Sequence, residues 1–134
     1  MRRYPDWPQR LGAAIAERRN KPHAWGDNDC ALFAADLVAA MTGQDFGALF
    51  RGRYHNEAGA RAILRSHGWS TLADVADHCL PRRLGRPRRG DLVLCDGKFG
   101  PFLGIVWAGG VIGAGPGRPT QWPVEGILAA WSVG

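Results

Sequence analysis

The sequence predicts an α+β fold in which N-terminal helices pack on a C-terminal antiparallel sheet. As far as about residue 79, apolar residues recur at helical spacing; after Gly90 they come in short runs bounded by turn residues. With 134 residues the chain has enough length for one compact domain and too little for two ordinary ones, so a single domain over residues 1–134 is expected.

Asp6 is placed to cap a first helix, with Trp7 and Pro8 in its opening turn. Leu11, Ala14, Ile15 and Arg18 follow at helical spacing, and Asn20-Lys21-Pro22 ends the run. Residues 20–27 make a loop containing Trp25-Gly26. A second helix is predicted from about Asp29 to Met41. Leu32, Phe33, Ala35, Leu37, Val38 and Met41 leave it little polar surface, so it should be central and mostly buried. Thr42-Gly43 stops it. Asn56 caps a third helix with Ala60, Ile63 and Leu64 on its inner face and Gly68 beyond its end. A fourth covers Leu72 to Cys79 and is stopped by Pro81. Strands are expected at Asp91–Cys95, Phe102–Trp107 and Val111–Ala114, with turns at Gly97 and Gly109-Gly110. A loop at Gly115–Pro119, a short strand at Gln121-Trp122 and a terminal strand over Ala129–Val133 complete the sheet.

A hydrophobic share of 46% and a charged share of 22% are those of a soluble globular chain. Gly or charge interrupts every apolar stretch, so no membrane span is expected. No apolar segment follows Arg2-Arg3, so no signal peptide is expected. Cys30, Cys79 and Cys95 are odd in number and lack Cys-x-x-Cys spacing, which argues against a disulfide framework and a structural zinc site. No metal or cofactor is predicted. The glycine run from Gly113 to Gly117 lacks the Lys-Ser/Thr helix of a phosphate loop. The net charge of +5 is carried by arginine, densest at Arg82, Arg83, Arg86, Arg88 and Arg89. With no aromatic residue interleaved, this cluster reads as a solvated connector touching an acidic neighbour, and nucleic acid is not an expected partner.

Cys30 is the chemically informative residue. In Trp25-Gly26-Asp27-Asn28-Asp29-Cys30 it stands at the first turn of the second helix, where either Asn28 or Asp29 can be the cap. The partial positive charge and free N–H groups of a helix start favour a thiolate there, while an adjacent acidic residue opposes it. One cysteine of the three can be reactive, the others serving as small buried apolar residues.

The order Trp25-Gly26, Asp29-Cys30, Arg89-Gly90-Asp91-Leu92-Val93-Leu94 and Phe102-Leu103-Gly104-Ile105 resembles the NlpC-type branch of papain-like cell-wall peptidases. More narrowly, residues 25–134 resemble a family of uncharacterised phage and prophage tail proteins with that fold, residues 1–24 adding an N-terminal helix and loop. The narrower likeness includes Asp36, Thr42-Gly43-Gln44-Asp45, Tyr54, Gly59-Ala60 and Ala130-Trp131-Ser132-Val133. The resemblance implies a nucleophilic Cys opening a buried helix, a catalytic His on the second strand, a third polar residue that orients it, and peptidoglycan stem peptide as substrate. Cys30 matches the nucleophile, but Phe102 stands where the His would be, and Ile112-Gly113-Ala114 offers no ionisable side chain for the orienting position. His23, on the loop before Cys30, is the candidate substitute base; His55, His67 and His78 lie away from the expected sheet. Without a base, a thiol forfeits a factor of about 10²–10⁴ in rate. The resemblance and the missing His together imply a structural component of a phage tail tip or baseplate with a degenerate active site. It would be made in the bacterial cytoplasm and carried in the virion, with hub or distal tail proteins as partners. The alternative is an active cysteine endopeptidase that cuts peptidoglycan during cell-wall penetration. Trp25, Trp107, Trp122 and Trp131 are candidates to line the groove or a subunit contact.

Overall fold

The computed structural model describes residues 2–98, 100–114, 120–123 and 126–134. Four helices, α1 (Trp7–Arg18), α2 (Cys30–Thr42), α3 (Glu57–Ser66) and α4 (Leu72–Cys79), precede five strands. These are β1 (Leu92–Gly97), β2 (Gly100–Trp107), β3 (Gly110–Gly113), β4 (Thr120–Trp122) and β5 (Ile127–Trp131). The sheet is antiparallel throughout, in the order β4-β3-β2-β1-β5. The architecture is therefore α+β. The loop expected at Gly115–Pro119 lies outside the described residues.

Local chemistry explains most helix ends. Asp29 caps α2 by accepting from Leu32 N–H at 3.0 Å, which decides between Asn28 and Asp29. Gly43, at φ +81°, ends α2 in the left-handed conformation that Gly adopts most readily. Asn56 caps α3, and Thr71 with Asp74 forms a reciprocal capping box on α4. Asp6 departs from expectation. It occupies the position before α1 but makes no side-chain cap, because its carboxylate is drawn to Arg10 Nε at 2.7 Å. The hairpin turn also shifts by one residue. Ala108 (φ +53°) and Gly109 (φ +77°) form it, and Gly110 starts β3. A short 3-10 helix at Phe46–Leu49, opened by Asp45 accepting from Gly47 N–H, was not predicted.

Two apolar clusters lie on opposite faces of the sheet. Leu92, Leu94, Leu103, Ile105 and Ile112 pack against Leu11, Ile15, Phe33, Leu37 and Met41 of α1 and α2. Leu11, Leu37 and Ile105 are fully buried, each contributing about 1.5–3 kcal/mol. Val93, Cys95, Phe102, Val111 and Ala130 form the second cluster, joined by Trp122 and Ile127 from the edge strands β4 and β5. Each face of β1 is thus covered by one of the two clusters. This accounts for the unbroken apolar run Leu92-Val93-Leu94-Cys95, which has no polar face because both faces are covered.

The helices divide sharply in burial. α2 buries six residues, whereas α3 buries none, its Ala60, Ile63 and Leu64 being only half-buried. Among the described residues, no helix is long and apolar enough to cross a membrane.

Candidate active site

Cys30 opens α2 and packs against the second cluster, beside Phe102 and Leu103 of β2. The backbone groups of Leu103, Ala31 and Cys30 itself favour the charged form of its sulfur. The β2–β3 pairing ends at Gly104↔Gly113, one residue short of Leu103, so this point of β2 lies beyond the β3 ladder. A groove of about 1000 Å³ with a mostly apolar lining opens beside the sulfur. His23, Trp25, Tyr54, Phe102 and Trp122 line it with Cys30, as do Ala60 and Leu64 of α3.

Burial decides the state of the thiol. It pushes the Cys30 pKa up to about 11, outweighing the backbone hydrogen bonds from Leu103 and the helix start, while the charge of Asp29 raises it further. The lowering expected from the helix start alone is thus overridden. At pH 7 the thiolate fraction is on the order of 10⁻⁴.

Asp29 anchors the site. Besides capping α2, it accepts from Gly26 N–H at 3.0 Å and from the Tyr54 hydroxyl, and only 2% of it is exposed. Burial, then the hydrogen bond to Asp29, raises the Tyr54 pKa, so the phenol remains a proton donor. Sequence reasoning gave Tyr54 no role. Twenty-five positions separate it from Asp29, and no local signal links them.

The Trp25-Gly26 loop has a backbone reason for its glycine. Gly26 has φ +79°, and a Cβ there would lie 2.1 Å from the Tyr54 carbonyl oxygen. Gly26 also accepts from Gly52 N–H at 2.7 Å. Gly26→Ala is therefore expected to destabilise the fold by at least about 2 kcal/mol, read as a lower urea midpoint with an unchanged slope.

The structure brings His23 and Cys30 to the same groove without bonding them. Among the described residues, His23 makes no hydrogen bond to the sulfur; its ring meets Trp25 edge-on with centroids 4.9 Å apart. His67 and His78 lie elsewhere, each against Trp69 at centroid distances of 4.9 and 5.0 Å. Trp25 and Trp122 line the groove, but Trp131 is fully buried in the core and Trp107 packs against Trp7. Cys79 and Cys95 are free thiols, and Cys95 is buried in the second cluster. Among the described residues, no group of His, Cys, Asp or Glu could hold a metal.

The arginine cluster has aromatic neighbours that the local sequence does not reveal. Arg82 lies over Trp131, and Arg89 lies over Trp7 and Trp107. The acidic neighbours expected of a connector are Asp77 for Arg82 and Asp91 for Arg83.

No curated protein matches the chain. A family model does match, over residues 2–133, and it carries the description Domain of unknown function (DUF6950). The match takes in both the helices and the sheet that position Cys30, and the chain belongs to the DUF6950 family.

Proposed function

We propose that this protein is a structural component of a phage tail tip or baseplate, a single NlpC-like domain whose peptidase centre has degenerated. The carrying observation is the surroundings of Cys30. The thiol sits at a helix start against β2, as a papain-like nucleophile would. Phe102, at the position that the resemblance assigns to the catalytic His, is packed in an apolar cluster. Such a thiol is protonated at neutral pH and has no hydrogen-bonded base among the described residues. In this reading the protein resides in the virion and docks on hub or distal tail proteins.

The test uses particles from a bacterium that carries the gene. Immunogold labelling is expected to place the protein at the tail tip. Cys30→Ala particles should assemble and infect like the parent, and neither should release muropeptides from purified peptidoglycan. Tails that lack the protein would overturn the reading.

A second reading, an active cysteine peptidoglycan endopeptidase, is favoured by one observation: His23 and Cys30 line the same groove. Muropeptide release by assembled tails that disappears in Cys30→Ser would establish it in place of the first.

A further inference from the structure

We propose that the outer edge of β5 and the arginine loop beside it form a docking surface for an acidic protein segment bearing apolar side chains. Among the described residues, Leu84 and Leu128 are the most exposed large hydrophobic residues, at 90% and 58%. Both lie at the β5 edge of the sheet. β5 is an edge strand, and residues 81–83 run antiparallel along its C-terminal half. Ser132 N–H donates to Pro81 O and Arg83 N–H to Ala130 O, both at 2.9 Å. Leu84 is the next residue after this pairing, and Ala130, which bonds Arg83, lies two positions from Leu128 in β5. A bulge presents Leu128. The β1–β5 register passes from Leu94↔Ala129 to Cys95↔Ile127 and leaves Leu128 without a cross-strand partner.

Charge selects the partner. Between Pro81 and Gly90 the chain carries five arginines and no acidic residue. Asp77 and Asp91 engage Arg82 and Arg83, but among the described residues Arg86 and Arg88 have no acidic side chain against their guanidinium groups. Exposed leucines flanked by unneutralised cations match an anionic segment with apolar anchors. A second copy fits poorly, because each carries a net charge of +5. Nucleic acid fits poorly too. The nearby Trp7 ring that would stack a base is covered by Arg3 at 4.4 Å and Arg89 at 5.1 Å. The identity of the partner as a neighbouring tail protein rests on the function proposed above; its acidic chemistry does not.

The probe is a fluorescein-labelled peptide of Glu-Glu-Leu repeats, titrated with the full chain and read by fluorescence anisotropy. Saturable binding that weakens with salt is expected. Leu84→Asp with Leu128→Asp should weaken it about tenfold, and Arg86→Glu with Arg88→Glu should do the same. Arg19→Glu with Arg65→Glu should leave it unchanged. Circular dichroism checks that each exposed-site variant folds. Undiminished binding by the leucine or arginine variants would overturn the proposal. So would equal binding of an all-Glu peptide, or displacement of the peptide by duplex DNA or phosphatidylglycerol vesicles at lower concentration than by unlabelled peptide. Absence of peptide binding by a protein that is present in tails removes only this surface. Peptide binding by a protein absent from tails removes only the tail reading.

Discussion

Asp91→Ala is expected to lower the unfolding free energy by about 3 kcal/mol, among the largest losses open to a single side chain here. Asp91 is fully buried. Its carboxylate accepts from Arg83 Nε at 2.9 Å, Arg83 Nη2 at 3.1 Å and Arg88 N–H at 2.7 Å, with Arg3 Nη2 at 3.6 Å. Its own backbone joins the same network, with Val106 N–H donating to Asp91 O at 3.0 Å. Burial holds the Arg3 pKa below its usual value, and Asp91 is the group that pulls it back. Removing the carboxylate leaves Arg3 and Arg83 poorly solvated and close to each other. It also frees the loop that leads into β1, and Arg3, which donates to the Val133 carbonyl, loses one of its anchors. Urea unfolding followed by circular dichroism should show a lower midpoint and an unchanged slope. A loss under about 1 kcal/mol would mean that the arginines find solvent readily and that the network does not hold the fold.

The second large effect is chemical. Iodoacetamide should alkylate Cys30 in the folded protein on the order of 10² times more slowly than in urea at pH 7.5, measured by peptide mass spectrometry. The rate should climb with pH towards about 11, because burial keeps the proton on the sulfur. The linkage has a definite sign. The folded-state pKa lies above the ordinary value of 9.0, so the neutral thiol contributes stability that is complete below that value and is lost as pH rises towards about 11. Cys95, raised to about 11 by burial, adds to the same loss. A reactivity plateau reached near neutral pH would instead indicate a thiolate paired with an imidazolium. That outcome would favour His23 as a working base.

Much of the fold was legible because short-range chemistry marks it. Asp29 and Asn56 each bond the backbone three residues on, and such signals survive in sequence. The 3-10 helix after Asp45 escaped because it is one short turn without apolar periodicity. The strands were found, with ends displaced by one or two residues. The two-sided burial of β1 was not, since it depends on what packs on each face of the sheet and not on the strand itself. Cys30 and Phe102 could be placed on their elements from local pattern. The Tyr54–Asp29 bond, the pairing of residues 81–83 with β5 and the aromatic rings under the arginine loop join distant stretches of chain, and no single segment announces them.

The burial of α3 has a dynamic consequence. Its ends are fixed, by the Asn56 cap at one side and by the Phe50, His67, Trp69 and His78 rings at the other, yet no residue between them is buried. Opening this helix exposes little apolar surface, so it can come away while the sheet and α2 stay folded. Its amides should therefore exchange hydrogen through local fluctuation, whereas those of β1 and β2 wait for global unfolding. Ala60 and Leu64 form part of the groove wall, so the width of the groove follows the helix–coil balance of a single ten-residue segment.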